Sequence, residues 1–269
     1  MRGQSGIGTI IVFIAMILAA VVVAIVILQI TDSLRGQAML TNRQAQQTMS
    51  ARYDIIGVSA VAYKDANTGD YKVYYLILRV RPGLGARSLD LKKTYLTYNG
   101  PQVTIPGVKY EPITEVLKNN ATYIAAAADL GNTDVNDILS KITGACSASM
   151  YNIMTALGTY NYITVVPYIA PARKSDVAYA PGTVTAATVV ANRDPAHFTA
   201  IWEECAGKDD LGSVSDGQTV YIIYPLPKPV GSSTYITISL ETADGWSAPM
   251  TLRIPAGLDQ GYVTIYPAT

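Results

Sequence analysis

Few residues in this chain could do chemistry. There is one histidine, His197, and there are two cysteines, Cys146 and Cys205. A structural zinc needs about four Cys, His or carboxylate ligands, and these three residues match none of the usual spacings. A single imidazole offers no obvious Ser-His-Asp or Cys-His site, so His197 reads as a surface or turn residue. No H-E-x-x-H, G-x-S-x-G or Walker A pattern occurs. "GLGARS", Gly83 to Ser88, lacks the third glycine of a dinucleotide fingerprint and precedes a strand, so it reads as a loop. "DANTGD", Asp65 to Asp70, alternates oxygen ligands as calcium loops do, but the distal carboxylate position holds Leu76. That stretch and "KDDLGSVSDG", Lys208 to Gly217, read as turns. The expectation is a protein with no catalysis, no metal and no cofactor.

Two covalent modifications are open. In an exported protein Cys146 and Cys205 would pair, and closing a loop of roughly 60 residues adds about 4 kcal/mol in the chain-entropy model. Two free buried thiols are the alternative. Asn120-Ala121-Thr122 is an N-x-S/T sequon, which on an exported surface marks a glycan site.

The elements that must carry these residues follow from composition. The chain's 269 residues allow a short terminal segment plus one or two globular domains. Twenty basic residues balance 20 acidic ones, and no basic stripe is present, which argues against a nucleic-acid partner. There are 19 tyrosines but two phenylalanines, a bias that fits a β-rich body with a wet surface or many packing interfaces. All 14 prolines lie at Pro82 or later, so nothing before that point breaks a helix.

From Ile10 to Leu28 run 19 consecutive apolar residues, 14 of them Ile, Val, Leu or Phe. As a helix they extend about 28 Å, close to the thickness of a bilayer's hydrocarbon core. At the usual insertion energies they favour lipid by roughly 4–8 kcal/mol. The run is longer than the apolar region of an ordinary secretory signal, although "LAAVVVA" offers small residues for cleavage. A permanent single-span anchor is a second reading. A third rests on Met1-Arg2-Gly3: a basic residue followed by glycine, ahead of the apolar run, fits cleavage on the cytoplasmic side with the helix retained.

The next segment, up to about Tyr53, is polar and free of proline, with Ile30, Leu34, Ala38, Ala45 and Met49 at helical spacing. One continuous helix is expected from about Ser5 to about Tyr53, with Gly36 as a soft point. Apolar all round at one end and amphipathic at the other, it suits burial among copies of itself. From Asp54 the period changes to two. "IIGVSAVAYKD" and "YKVYYLILRVRPG" flank "ANTGD" as a hairpin, and "LDLKKTYLTYNG" adds a strand ending in an Asn-Gly turn. "YNYITVVPYIA", "TVYIIYPL", "TYITISLET", "MTLRIPAG" and "GYVTIYP" read as further strands of an antiparallel sandwich. Between about residues 103 and 149 the pattern is irregular and reads as an insertion. It holds one short helix, "NTDVNDILSKI", capped by Asn132 or Thr133.

"GIGTIIVFIAMILAAVVVAIVI", residues 6–27, resembles the N-terminus of archaeal flagellins, or archaellins, the type IV pilin-like subunits of the archaellum filament. In the head, "SLDLKKTYLTY", "VVANRDPA", "DGQTVYIIYPLP" and "PMTLRIPAGL…VTIYP" resemble family segments in family order, the last as a closing hairpin. The leader is shorter and less basic than the family pattern. The resemblance implies an α+β fold: a long N-terminal hydrophobic α-helix followed by an antiparallel β-sandwich (Ig-like) head. It implies a cleaved leader over residues 1–3, a core helix over 4–53 and an outer domain over 54–269. A leader peptidase would cut between Gly3 and Gln4. Ile10, Phe13, Ile14, Ile17, Leu18, Val21, Val22, Ile25 and Leu28 would pack in the filament core. Gly6, Gly8, Ala15, Ala19, Ala20 and Ala24 would permit close approach between helices. The implied partners are other copies of the chain, alone or with related minor subunits, plus the peptidase, a membrane assembly and motor platform, and the membrane before assembly. The precursor would sit in the cytoplasmic membrane and the product outside the cell. Family members are often glycosylated, which bears on Asn120. An adhesive type IV pilin and a single-span anchored surface binding protein are the alternatives.

Overall fold

A proline-free run of helix formers and apolar residues becomes one helix, α1 (Gln4–Ser50), of 47 residues and roughly 70 Å. The computed structural model describes residues 4–50, 53–65, 68–83, 88–132, 134–142, 149–175, 177–203, 212–215, 217–258 and 261–266. Helix and head form separate compact units, residues 1–47 and 48–269. The helix runs unbroken through Gly36 and ends at Ser50, and Tyr53 already belongs to the first strand.

The head opens with the expected hairpin of β1 (Tyr53–Lys64) and β2 (Tyr71–Pro82). Its turn closes through Asp65 N–H to the Asp70 carbonyl (2.9 Å) and Gly69 N–H to the Asp65 carbonyl (2.8 Å). Gly69 there has φ 74°, a left-handed conformation that favours glycine. Lys72 donates to Asp65 Oδ2 at 2.5 Å, so this carboxylate serves the turn. Next come β3 (Ser88–Asp90), β4 (Thr94–Asn99) and β5 (Thr104–Tyr110).

A helical insertion follows: α2 (Ile113–Asn119), α3 (Ala121–Ala125), α4 (Val135–Ile142), α5 (Met150–Leu157), α6 (Tyr162–Ile169) and α7 (Ala186–Ala191). The chain then resumes strand with β6 (His197–Trp202), β7 (Ser213–Ser215), β8 (Val220–Val230), β9 (Tyr235–Thr242), β10 (Ser247–Arg253) and β11 (Tyr262–Tyr266). Nine strands are ordered β10-β9-β4-β5-β6-β8-β2-β1-β11, and β3 pairs with β7 in a small second sheet. Within the large sheet every pair is antiparallel except β5 with β6, which match only Lys109 to His197 and Tyr110 to Phe198.

That short parallel seam divides the sheet into two halves. Leu76, Leu78, Ile222 and Tyr224 of one half share a core with Leu96, Tyr98, Ile236 and Leu240 of the other, the interior of a sandwich. Tyr53 and Thr94 hydroxyls meet across it at 2.7 Å. The opposite face of β1, β2, β6 and β8 presents Val61, Tyr75, Ile77, Ile201 and Ile223, and the insertion covers it. Burial on both faces explains why "YYLIL" and "YIIYPL" are nearly continuous apolar runs rather than alternating ones.

Several expectations need correction. The insertion spans residues 111–196: it begins only after β5, which occupies the start of the expected 103–149, and it runs well past residue 149. "YNYITVVPYIA" is a helix, α6, and not a strand. Asn161 caps it by accepting from Ile163 N–H at 3.0 Å, and Val165, Val166, Tyr168 and Ile169 are all buried. Burial therefore overrides the β-branched propensity. The cap of α4 is Asp134, whose Oδ1 accepts from Asn136 N–H at 3.0 Å. The final two strands form no hairpin with each other, because β10 pairs with β9 and β11 pairs with β1. The tyrosines serve both the core and the surface: Tyr53, Tyr75, Tyr98, Tyr123, Tyr168 and Tyr224 are among the largest fully buried side chains, while Tyr71, Tyr95, Tyr151, Tyr160, Tyr235 and Tyr266 are exposed.

Pro167 stands inside α6 and cannot donate to the Ile163 carbonyl one turn back. The Tyr63 hydroxyl of β1 donates to that carbonyl instead. Tyr63→Phe is therefore expected to destabilise the head by about 1–2 kcal/mol in chemical denaturation. Adding Pro167→Ala restores a backbone donor, so the double variant should lose less than the sum of the two singles.

At the seam, Glu111 N–H donates to the Phe198 carbonyl (2.8 Å), and Asn119 Nδ2 donates to Glu111 Oε1 (2.7 Å). Burial raises the Glu111 carboxyl above its ordinary range, partly offset by His197 and Asn119. The unfolded chain thus ionises first, and stability falls as pH rises through the raised value. Glu111→Gln should stabilise the head at neutral pH. That gain should shrink in acid below the ordinary carboxylate range, where the wild-type group is protonated in both states; unfolding midpoints at the two pH values measure it.

Candidate assembly surface

The functional surface is built by α1. Its large apolar side chains from Ile10 to Ile30 are between 46% and 70% exposed. The nine expected core-packing residues, Ile10, Phe13, Ile14, Ile17, Leu18, Val21, Val22, Ile25 and Leu28, recur every three or four positions and occupy one side of the helix. Ile11 falls on that same side, and Val12, Met16, Val23, Val26 and Ile27 are equally apolar and exposed on the opposite one. Periodicity alone misses these five; the unbroken run is the signal that finds them. Thr31 ends the run with its hydroxyl donating back to the Ile27 carbonyl at 2.8 Å, so it carries little polar demand out of the helix. No charged residue lies between Arg2 and Asp32.

This segment is long and apolar enough to cross a membrane. It is equally suited to a bundle of helices, since both environments cover apolar surface on every side. Alanines at 15, 19, 20 and 24 are exposed along it.

The remaining expected site residues separate. Gly3, Cys146 and Cys205 lie outside the described residues, and Gln4 is the first residue of α1. His197 is half-buried with Nδ1 2.8 Å from Asp194 Oδ2, and it is the first residue of β6 rather than a turn residue. Asn120 is a correction. It is fully buried at the join of α2 and α3, and its Nδ2 donates to the carbonyls of Tyr168 (2.7 Å) and Ala170 (3.0 Å). A glycan would have to attach at that same nitrogen. Its role is to satisfy carbonyls at the C-terminal end of α6, which the helix itself leaves open.

Arg193 of the Arg-Asp turn was legible only as a family segment. Its guanidinium donates to the carbonyls of Val190 (2.8 Å), Leu226 (2.5 Å) and Pro227 (3.2 Å) and lies 5.2 Å from the centre of the Tyr74 ring. It thereby ties the end of the insertion to β8.

A long uncovered apolar helix ahead of a β head defines a protein whose apolar surface must be completed by something outside itself. The family model for archaeal-type flagellin matches residues 3–252, and the chain belongs to that family. It is 29% identical to Flagellin B1 of Methanococcus voltae over 157 residues, 57% of this chain and 62% of that protein. It is 36% identical to Flagellin B2 of Halobacterium salinarum over 121 residues, 45% and 60% of the two chains. The matched part thus spans about three fifths of the length of these relatives. Among solved structures, it is similar to the archaeal flagellum of Methanospirillum hungatei strain JF1, with TM-score 0.44, 11% identity and coverage of 96% and 98%.

Asn120→Ala should destabilise the head by about 2–3 kcal/mol by stranding two carbonyls. Peptide mass spectrometry should find Asn120 unmodified, and Thr122→Ala, which removes the sequon, should leave that peptide's glycan status unchanged.

Proposed function

We propose that this chain is the structural subunit of an extracellular archaellum filament, made as a membrane-inserted precursor. The observation that carries this reading is the apolar surface of α1, exposed on every side over Ile10–Leu28. A lone helix has no interior, so lipid or other helices must cover that surface. A leader peptidase cuts between Gly3 and Gln4, and the freed helix leaves the bilayer for a core of parallel copies. The transfer costs little net burial, because neighbouring helices cover the same surface that lipid covered. The β heads form the outer sheath. The work is mechanical, and the motor and assembly platform are other proteins. Family membership and the identity to named flagellins support the reading.

Peptide mass spectrometry of filaments sheared from cells should find Gln4 as the mature N-terminus. Gly3→Val should trap unprocessed chain in the membrane. Val22→Asp should leave the head folded and abolish filaments, because each subunit would bury an unpaired carboxylate. Wild-type filaments from Val22→Asp, or wild-type chain that stays in the membrane with Met1–Gly3 attached, would remove α1 from the core. The second result would favour an anchored binding protein. Filaments that assemble without supporting swimming would favour an adhesive pilin.

A further inference from the structure

Helix α1 carries three charged residues in its 47: Asp32, Arg35 and Arg43. Asp32 is its sole carboxylate, and it stands at the border of the apolar run. Asp32 and Arg35 are exposed and less than one turn apart. Among the described residues, however, the ion pairs all lie in the head and none involves either residue.

Resting on the filament reading, packing α1 among copies of itself would dehydrate Asp32. A carboxylate removed from water needs a cation close by. The apolar run offers little to set how far one helix slides along its neighbour. Its Ile, Val, Leu and Ala side chains pack comparably at many offsets. A charge is tolerated only where its counterion stands at the same level, which is how polar groups fix register in helical bundles.

We propose that Asp32 of one copy pairs with an arginine guanidinium of a neighbouring copy and thereby sets the axial offset between packed helices. Two arginines of the helix can supply that group. Arg35 lies about 4.5 Å further along the axis and Arg43 about 16 Å, so each pairing corresponds to one offset between parallel neighbours. The surface is self-complementary, an acid followed by bases on one helix, and a second copy of this chain satisfies it.

The test uses the full chain as the sole filament subunit of a cell, with two readouts: sheared filament yield and subunit content of the membrane. Asp32→Arg, Arg35→Asp and Arg43→Asp are made singly and in pairs carried on separate chains. Asp32→Arg alone should cut filament yield at least tenfold while the membrane still holds normal amounts of subunit. Co-expressing the Asp32→Arg chain with one of the arginine-to-aspartate chains should restore filaments that contain both. The Asp32→Arg chain has no carboxylate in its helix, so rescue by the other chain reports a contact between copies. The rescuing partner identifies Arg35 or Arg43. Normal yield from Asp32→Arg alone, or no rescue by either partner, overturns the pairing. If the wild-type chain forms no filaments, the filament reading itself fails and the pairing with it.

Discussion

The segment Ile10–Leu28 presents apolar side chains in every direction around a single helix, and no folding of one helix can hide them. The hydrophobic effect that closes the head on itself therefore acts on α1 only through other molecules. The two units answer the same force differently. The head buries its apolar residues in two cores, one inside the sandwich and one beneath the helical insertion. On the proposed function the helix keeps its apolar surface for lipid and then for copies of itself, and a head with cores of its own does not depend on what surrounds the helix.

Within the head, polar detail is arranged to let apolar packing proceed. Pro167 removes a donor from α6, and a tyrosine on the sheet beneath supplies one. Asn120 gives both amide hydrogens to the end of the same helix. Arg193 spends its guanidinium on carbonyls, and burial lowers its pKa from the ordinary arginine value. Tyrosine does the work that phenylalanine does elsewhere. For Tyr53, Tyr123 and Tyr168 the ring fills the core while the hydroxyl reaches a partner, Tyr168 at Asp129 Oδ1 (2.6 Å).

Helix α1 is legible as one unbroken element, because a proline-free apolar run admits few structures, although its end at Ser50 is not. The β1–β2 hairpin is legible from the Asp and Gly of the turn between its two apolar runs, and β8 and β9 from short apolar runs separated by Pro, Gly and Asp. What failed were decisions that depend on distant neighbours. Residues 160–170 have strand composition, and only the sheet face waiting beneath them makes α6 the better solution. The order of the last strands is a long-range choice that no local pattern encodes, so nothing in β10 and β11 themselves reveals that they pair with β9 and β1. The sequon at Asn120 has the letters of a glycan site, yet those letters cannot reveal that its nitrogen is buried. Of the assembly surface, nine residues came from the family resemblance, and the rest follows from the absence of any polar interruption between Ile10 and Leu28.

The seam between β5 and β6 has a further implication. Lys109 N–H donates to the Ala196 carbonyl at 3.1 Å and Glu111 N–H to that of Phe198 at 2.8 Å, so the insertion leaves the sheet and returns to it at adjacent points. A segment whose two ends meet is a cassette. Its length and composition can change without moving a strand, on one condition: whatever replaces it must roof Val61, Tyr75, Ile77, Ile201 and Ile223. The sandwich can then stay constant while the surface that the insertion offers is rebuilt.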